Sequence, residues 1–441
     1  MSLESGGPTV AETGAEEDDS LELDQIEATQ RAEQPDEDGP RWSRALHDIT
    51  GGSTIITVLA VVASLIVGAI LIALTNPQVQ AALGYFFARP SATFAAIGQV
   101  VGGAYSSLFQ GGVYDFSQVS FVDGIQPLFT SLGFATPLIA AGLGIGIGFR
   151  AGVFNIGAQG QILVAGALAG WIGYTLPLPP GLHLIVAILG ALLGGAVYAG
   201  IAGVLKASTG AHEVIVTIML NYVAYYGLSF LLSNVLKAPG SNNPISPAEA
   251  SSAVLPSLFG SPRALNLGLV IVIVLTVIAW WFMTRSSLGF RFRAVGENPK
   301  AALTAGISVK RTVIYTMLVS GAFVGFAGAY QVLAQTTTGF TNALDAGIGF
   351  NAITVALLGR NKPWGIFWAG ILFGIFQAGG YTMQATQGID VDIVQVLQSI
   401  IVLFIAAPPL VRALFRLPAP NSLRRARRVR HTTAPEEAIA R

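Results

Sequence analysis

The sequence contains no cysteine, which excludes a disulfide framework, a thiolate nucleophile and a cysteine-bound metal. Charge is scarce too: 11% of the 441 residues are charged and 52% are hydrophobic, against about 25% charged in an ordinary soluble domain. No soluble core could hide so much apolar surface. Lipid accepts it, because helices satisfy their own backbone hydrogen bonds where water is absent, so the composition predicts an all-α integral membrane protein. Also missing is a G-x-x-x-x-G-K-[ST] loop to cradle nucleotide phosphates, so this chain is not an ATPase. Carboxylates near the apolar segments are limited to Glu213, Asp345, Asp390 and Asp392. Ion-coupled carriers usually need carboxylates or broken-helix ion sites at mid-membrane.

A lipid span takes about twenty predominantly apolar residues, and that length recurs. Thr54 to Leu74, Pro127 to Phe149, Phe154 to Leu176, Leu184 to Leu205 and Val214 to Leu236 read as the first five spans. Leu265 to Met283, Thr312 to Leu333, Thr341 to Leu358, Pro363 to Tyr381 and Ile393 to Val411 bring the expectation to ten. Ala92 to Gly112 is uncharged but diluted by Gly, Ser and Gln, and reads as an external or re-entrant helix. Residues 1–45 read as an acidic, disordered cytosolic tail, residues 46–412 as the transmembrane domain and residues 413–441 as a basic cytosolic tail.

Lys and Arg collect in cytoplasmic loops. With both termini inside, 21 of the 24 basic residues face the cytosol and only Arg89, Lys237 and Arg263 lie outside. The run Arg424-Arg425-Ala426-Arg427-Arg428-Val429-Arg430 follows the last span, where it reads as an orientation signal and a contact with anionic lipid, not with nucleic acid. Small residues bring helices together in lipid. Gly142-x-Gly144-x-Gly146-x-Gly148, Gly190-x3-Gly194 and Gly321-x3-Gly325 suit that packing.

Polar groups inside the spans are amides and hydroxyls. Asn155, Gln159, Gln161, Asn221, Gln331, Gln335, Asn351 and Gln377 could pass a neutral, hydrogen-bonding solute along, and Phe154, Phe350, Tyr222, Tyr225 and Tyr330 could stack on a base. The same amides could equally cross-link helices. Each half carries a Phe-Asn pair, Phe154-Asn155 and Phe350-Asn351, in a glycine-interrupted apolar segment, and interrupted segments at matching places point to a transporter's binding region. Between the sixth and seventh spans, Asn298 can cap a helix that Pro299 begins and Gly306 ends. That short cytosolic helix is either a partner contact or a solvated connector held near lipid head groups.

Four stretches carry a resemblance. Phe149-Arg150-Ala151-Gly152-Val153-Phe154-Asn155-Ile156-Gly157-Ala158-Gln159-Gly160-Gln161 is similar to a signature of permeases in the ribose and branched-chain amino acid type of ABC importer, with general nucleoside uptake permeases nearest. His212 to Tyr222, Ala294 to Ile307 and Gly349 to Arg360 resemble the same family, and the likeness spans about residues 50 to 412. The resemblance implies an ABC importer permease fold in two weakly similar halves, set in a bacterial plasma membrane. It implies three partners: an ATP-binding subunit, a second, similar permease forming a heterodimer, and an extracytoplasmic substrate-binding lipoprotein. No cofactor or metal would belong to this chain, ATP and Mg being held by the partner ATPase, and no residue would be catalytic. Phe154, Asn155, Gln159, Asn221, Gln331, Phe350 and Asn351 would line the substrate path. Glu297, Asn298, Pro299, Ala302 and Gly306 would form the coupling helix. The expected function is nucleoside import; the alternatives are an ABC permease for a sugar or other polar metabolite, or, apart from the resemblance, an ion-coupled secondary carrier.

Overall fold

Helices form along the apolar stretches because a backbone in lipid must pair with itself. The computed structural model describes residues 53–258, 265–406 and 414–415. One unit runs from Leu59 to Leu417; the remainder groups separately, and only its residues 53–58 are described. The expected acidic tail over 1–45, nearly all of the basic tail over 413–441, and Arg263 and Arg412 lie outside the described residues.

The helices in order are α1 (Ser53–Thr75), α2 (Pro77–Leu83), α3 (Pro90–Gly112), α4 (Phe121–Gly124), α5 (Gln126–Arg150), α6 (Ala158–Thr175), α7 (Leu182–Thr209) and α8 (Glu213–Asn234). Then come α9 (Leu267–Arg285), α10 (Ser287–Glu297), α11 (Pro299–Thr304), α12 (Val309–Tyr330), a π-helical turn (Gln331–Gln335), α13 (Ile348–Leu358), α14 (Pro363–Gln387) and α15 (Val391–Ala406). Among the described residues no strand forms beyond one isolated bridge, Ser257 to Asn266.

Six of these helical stretches are long and apolar enough to cross a membrane, or seven if α1 and α2, bent by 75° at Asn76, count as one. The expected count of ten is therefore not reached among the described residues. The shortfall has a physical cause. α6 is long enough at 18 residues but is diluted by Gln159, Gln161 and its glycines, and α13 has only 11 residues because the chain before Ile348 stays unwound. α15 is described for 16 residues, and 407–411 of that expected span lie outside the described residues. α3 runs antiparallel to α14: Gly103 meets Gln387, Gly111 meets Thr382, and Gly112 lies against Ile375, midway along α14. There α3 stops, Ser131 Oγ donates to the Gly112 carbonyl at 2.6 Å, and the chain turns back to begin α5.

α5 is the central helix, 83% buried over its spanning window, whereas α8 and α9 are 22% and 28% buried and present most of their surface outward. Close approach is bought with missing side chains: on α12, a Cβ at Gly321 would overlap the Gly195 carbonyl of α7 and one at Gly325 would fall 2.5 Å from the Ala191 carbonyl. Gly144 of α5 meets the Ser320 carbonyl in the same way. Gly190 and Gly194 face Ile172 and Leu168 of α6 instead. One end of the bundle gathers Arg150, Lys206, Arg285 and Lys362 at helix termini, with Lys206 and Glu213 paired at 2.5 Å; it is called the basic end below.

Candidate functional site

Two unwound segments meet in the middle of the bundle. Before α6, the Asn155 Oδ1 accepts from Gly157 N at 2.9 Å, and its Nδ2 donates to Ser320 Oγ at 3.1 Å, level with the middle of α12. Gln161 Nε2 donates to the same Asn155 Oδ1 at 3.0 Å. Asn221 Nδ2 donates to the Ile156 carbonyl at 3.0 Å, and its Oδ1 accepts from Gly160 N at 2.8 Å. Every one of these amides is buried and paired, so together they replace the helical hydrogen bonds that Val153 to Gly157 does not make.

Before α13, the Asp345 carboxylate does the same work: it accepts from Gly347 N at 3.1 Å and Gly349 N at 2.9 Å. Gly349 then packs on the backbone of Gln159, so the amino-terminal ends of α6 and α13 abut. α6 runs away from the basic end and α13 runs towards it. The structural counterpart of Asn155 is thus Asp345, not Asn351. A sequence signal for this existed: Asn155-Ile156-Gly157 and Asp345-Ala346-Gly347 both place a carboxyl or amide two residues before a glycine that opens a helix.

Beside this junction lies a cavity of about 120 Å³. Its walls are Gly133, Phe134, Pro137 and Leu138 from α5, Gln331 and Gln335 from the π-helical turn, Ala346, Ile348 and Asn351 at the start of α13, and Gln377 and Tyr381 from α14. Pro137 has no N–H to offer the Gly133 carbonyl. The π-helical turn widens the backbone where Gln331 donates to the Leu344 carbonyl at 3.0 Å. Gln377 Nε2 donates to Tyr381 Oη at 3.4 Å, and the rings of Phe134 and Tyr381 stand 5.7 Å apart. That ring pair also borders a larger opening of about 720 Å³, lined by Gln110, Asp115, Ser117, Gln118, Asp123, Gln126, Thr130, Thr382 and Thr386. Hydrogen bonds from Gln118 and Ser117 hold the Asp115 carboxyl below its usual range. Neutral amides, two rings and an acidic approach suit a neutral solute with several hydrogen-bonding groups.

Of the expected path residues, Gln331 and Asn351 reach this cavity, together with Gln335 and Gln377 from the wider set of amides. Asn155 and Asn221 belong to the buried network, and Gln159 lies in the first turn of α6 under Gly349. Phe154 is 40% exposed and stacks on Phe149 at 4.6 Å, while Phe350 is 67% exposed and away from the cavity. Phe134 and Tyr381 were not among the sequence candidates; Pro137 in the second span was the signal beside them.

The expected contact helix is α11. Asn298 Oδ1 accepts from Lys300 N and Ala301 N, both at 3.1 Å, Pro299 takes the first helical position, and Gly306 closes the turn at φ +78°. Ala302 is buried beneath it, and Glu297 and Leu303 are exposed. The connector before it, with no element assigned from sequence, is the amphipathic α10, whose Phe292 is buried against Phe282 at 5.5 Å. Among the described residues no three His, Cys, Asp or Glu side chains gather to hold a metal.

Residues 127–406 match the family described as the branched-chain amino acid transport system / permease component. The chain is 36% identical over 318 residues to the guanosine ABC transporter permease protein NupP of Bacillus subtilis, covering 71% of this chain and 88% of that one. It is 36% identical over 279 residues to the nucleoside ABC transporter permease protein NupB of Lactococcus lactis, covering 61% and 76%. It is 34% identical over 281 residues to the glucose ABC transporter permease protein TsgB13 of Haloferax volcanii, covering 62% and 73%. No solved structure matches it. With the family's pattern covering α5 through α15 and a helical bundle built for lipid, the chain belongs to the permease family of branched-chain amino acid type transport systems.

Proposed function

We propose that this chain is the permease subunit of an ATP-driven importer for nucleosides. The observation that carries the reading is the amide-lined cavity behind the Phe134–Tyr381 ring pair: rings offer a face to a base, and amides offer donors and acceptors to a sugar's hydroxyls. The acidic approach at Asp115 and Asp123 favours a neutral nucleoside over a phosphorylated one. Two of the similar proteins are named for guanosine and nucleosides.

The chain breaks no bond. ATP and Mg belong to an ATP-binding partner that docks on α11 at the basic end, with Glu297, Asn298, Pro299, Ala302 and Gly306 forming the coupling surface. That end faces the cytosol, as do both termini. A second, similar permease completes the membrane unit as a heterodimer, and an extracytoplasmic substrate-binding lipoprotein delivers the solute. Of the remaining path residues, Asn155, Asn221 and Gln159 act through the unwound segments they hold or abut, while Phe154 and Phe350 lie on exposed faces away from this cavity.

A sugar is the second reading, favoured by the similarity to the glucose permease protein of Haloferax volcanii. Competition decides between them. In cells dependent on this importer, unlabelled nucleosides should block uptake of labelled guanosine at concentrations where glucose has no effect. Block by glucose alone would move the solute class to sugars.

A further inference from the structure

The contact helix and the cavity lie at different depths, and one continuous set of contacts joins them. α10 ends beside Gly296, whose bare Cα rests on the backbone of Arg150 and Ala151; a Cβ there would overlap the Arg150 carbonyl. Facing it is Gly152, at φ +71°, where a Cβ would fall 3.2 Å from Gly296 Cα. The turn between them is a Schellman cap on α5, with Gly152 N donating to the Phe149 carbonyl at 3.1 Å and Val153 N to the Gly148 carbonyl at 3.0 Å.

From that turn Arg150 reaches sideways, its Nε donating to the Asn361 carbonyl at 2.9 Å. Asn361 lies in a second cap of the same kind, which closes α13: Arg360 N donates to the Leu357 carbonyl and Asn361 N to the Ala356 carbonyl, both at 2.9 Å. Arg360 and Asn361 sit at φ +53° and +54°, a conformation that side chains keep only where their surroundings hold them. Arg293 Nε on α10 and Asn361 Oδ1 at the cap are each buried without a partner among the described residues. Beyond the cap, α13 is one rod of 11 residues, and its far end puts Ile348 and Asn351 into the cavity wall.

We propose that Arg150 is a positioning residue for transport: it ties the α10–α11 contact element, through the Gly296–Gly152 seat, to α13 and so to the cavity. The inference rests on the importer reading above and deepens it. A purely structural Arg150 would do no more than favour the carboxyl end of α5 by its charge. Lysine keeps that charge but has no donor at the Nε position, so the two roles separate.

The absence of cysteine supplies the test. Asn351→Cys places a single thiol of this chain in the cavity wall, and its labelling by a membrane-impermeant maleimide is timed in the complete importer in proteoliposomes, with and without ATP and vanadate. With Arg150 present, ATP and vanadate should change the labelling rate about ten-fold, inside the usual range of coupling between sites. Arg150→Lys and Arg150→Gln should each cut that response below about two-fold while the ATPase still traps vanadate. Asn361→Gly keeps the accepting carbonyl and the left-handed turn, and should keep the full response. A full response in Arg150→Gln, or loss of vanadate trapping in step with it, would overturn the assignment. No ATP effect in the chain with Arg150 intact would overturn the importer reading, and this inference with it.

Discussion

Asn155 and Gln377 are both amides in apolar segments, and packing alone separates their roles. Asn155 spends its hydrogen bonds on Gly157, Gln161 and Ser320, so Asn155→Ala leaves buried partners unpaired and should cost about 1–3 kcal/mol of stability. Among the described residues Gln377 bonds only to Tyr381, at the cavity edge. Gln377→Ala should leave the melting temperature nearly unchanged and raise KM for uptake, as thermal melting and transport kinetics on the same preparation will check. A third polar residue carries a pH signature. Glu249, in the connection between α8 and α9, is buried against Gly170 and Gly173 of α6 with both carboxyl oxygens unpaired, and burial pushes its pKa up to about 8. An unfolded glutamate titrates near 4.3, so between these values the folded chain binds the extra proton. Stability should therefore fall as pH rises through that window and level off above about 8. Glu249→Gln should flatten the fall, giving a higher melting temperature than Glu249 at pH 8 and a shrinking difference below pH 5.

At the scale of elements, the long apolar runs were legible because their length and composition have one solution in lipid. α5, α7, α8, α9, α12 and α14 fall where the hydropathy puts them. The half-wound segments were legible only as glycine-interrupted stretches; what holds Val153–Gly157 unwound was not, since Ser320, Thr217 and Asn221 are remote in sequence. Nor was the cavity as a whole: its walls come from four separate stretches, and only the amides stand out from an apolar background. The short helix α11 was legible because Asn298, Pro299 and Gly306 act locally. α3 yields a prediction of its own. Because it stops beside Ile375, single cysteines at Arg89 and Val119 should label from the same side of the membrane, and one at Lys300 from the other. The tight α7–α12 seam gives another: Gly321→Leu should cost about 1–3 kcal/mol by overpacking, read as a lower melting temperature.

At the scale of the whole molecule, lipid-facing helices surround a buried α5, a cavity of neutral amides sits at the meeting of two half-wound segments, and a short capped helix projects at the basic end. None of these supplies energy. Membership of an ABC permease family assigns the energy to a separate ATP-binding partner, and on the importer reading proposed above uptake runs without an ion gradient across the same membrane. Uptake of labelled guanosine into proteoliposomes holding the permease pair, the ATPase and the binding protein measures this most directly. The account predicts accumulation that needs ATP, persists when uncouplers collapse the ion gradients, and stops when Glu297 and Gly306 of the contact element are replaced by bulky or oppositely charged residues. Uptake that continues without ATP and fails with the uncoupler would contradict it.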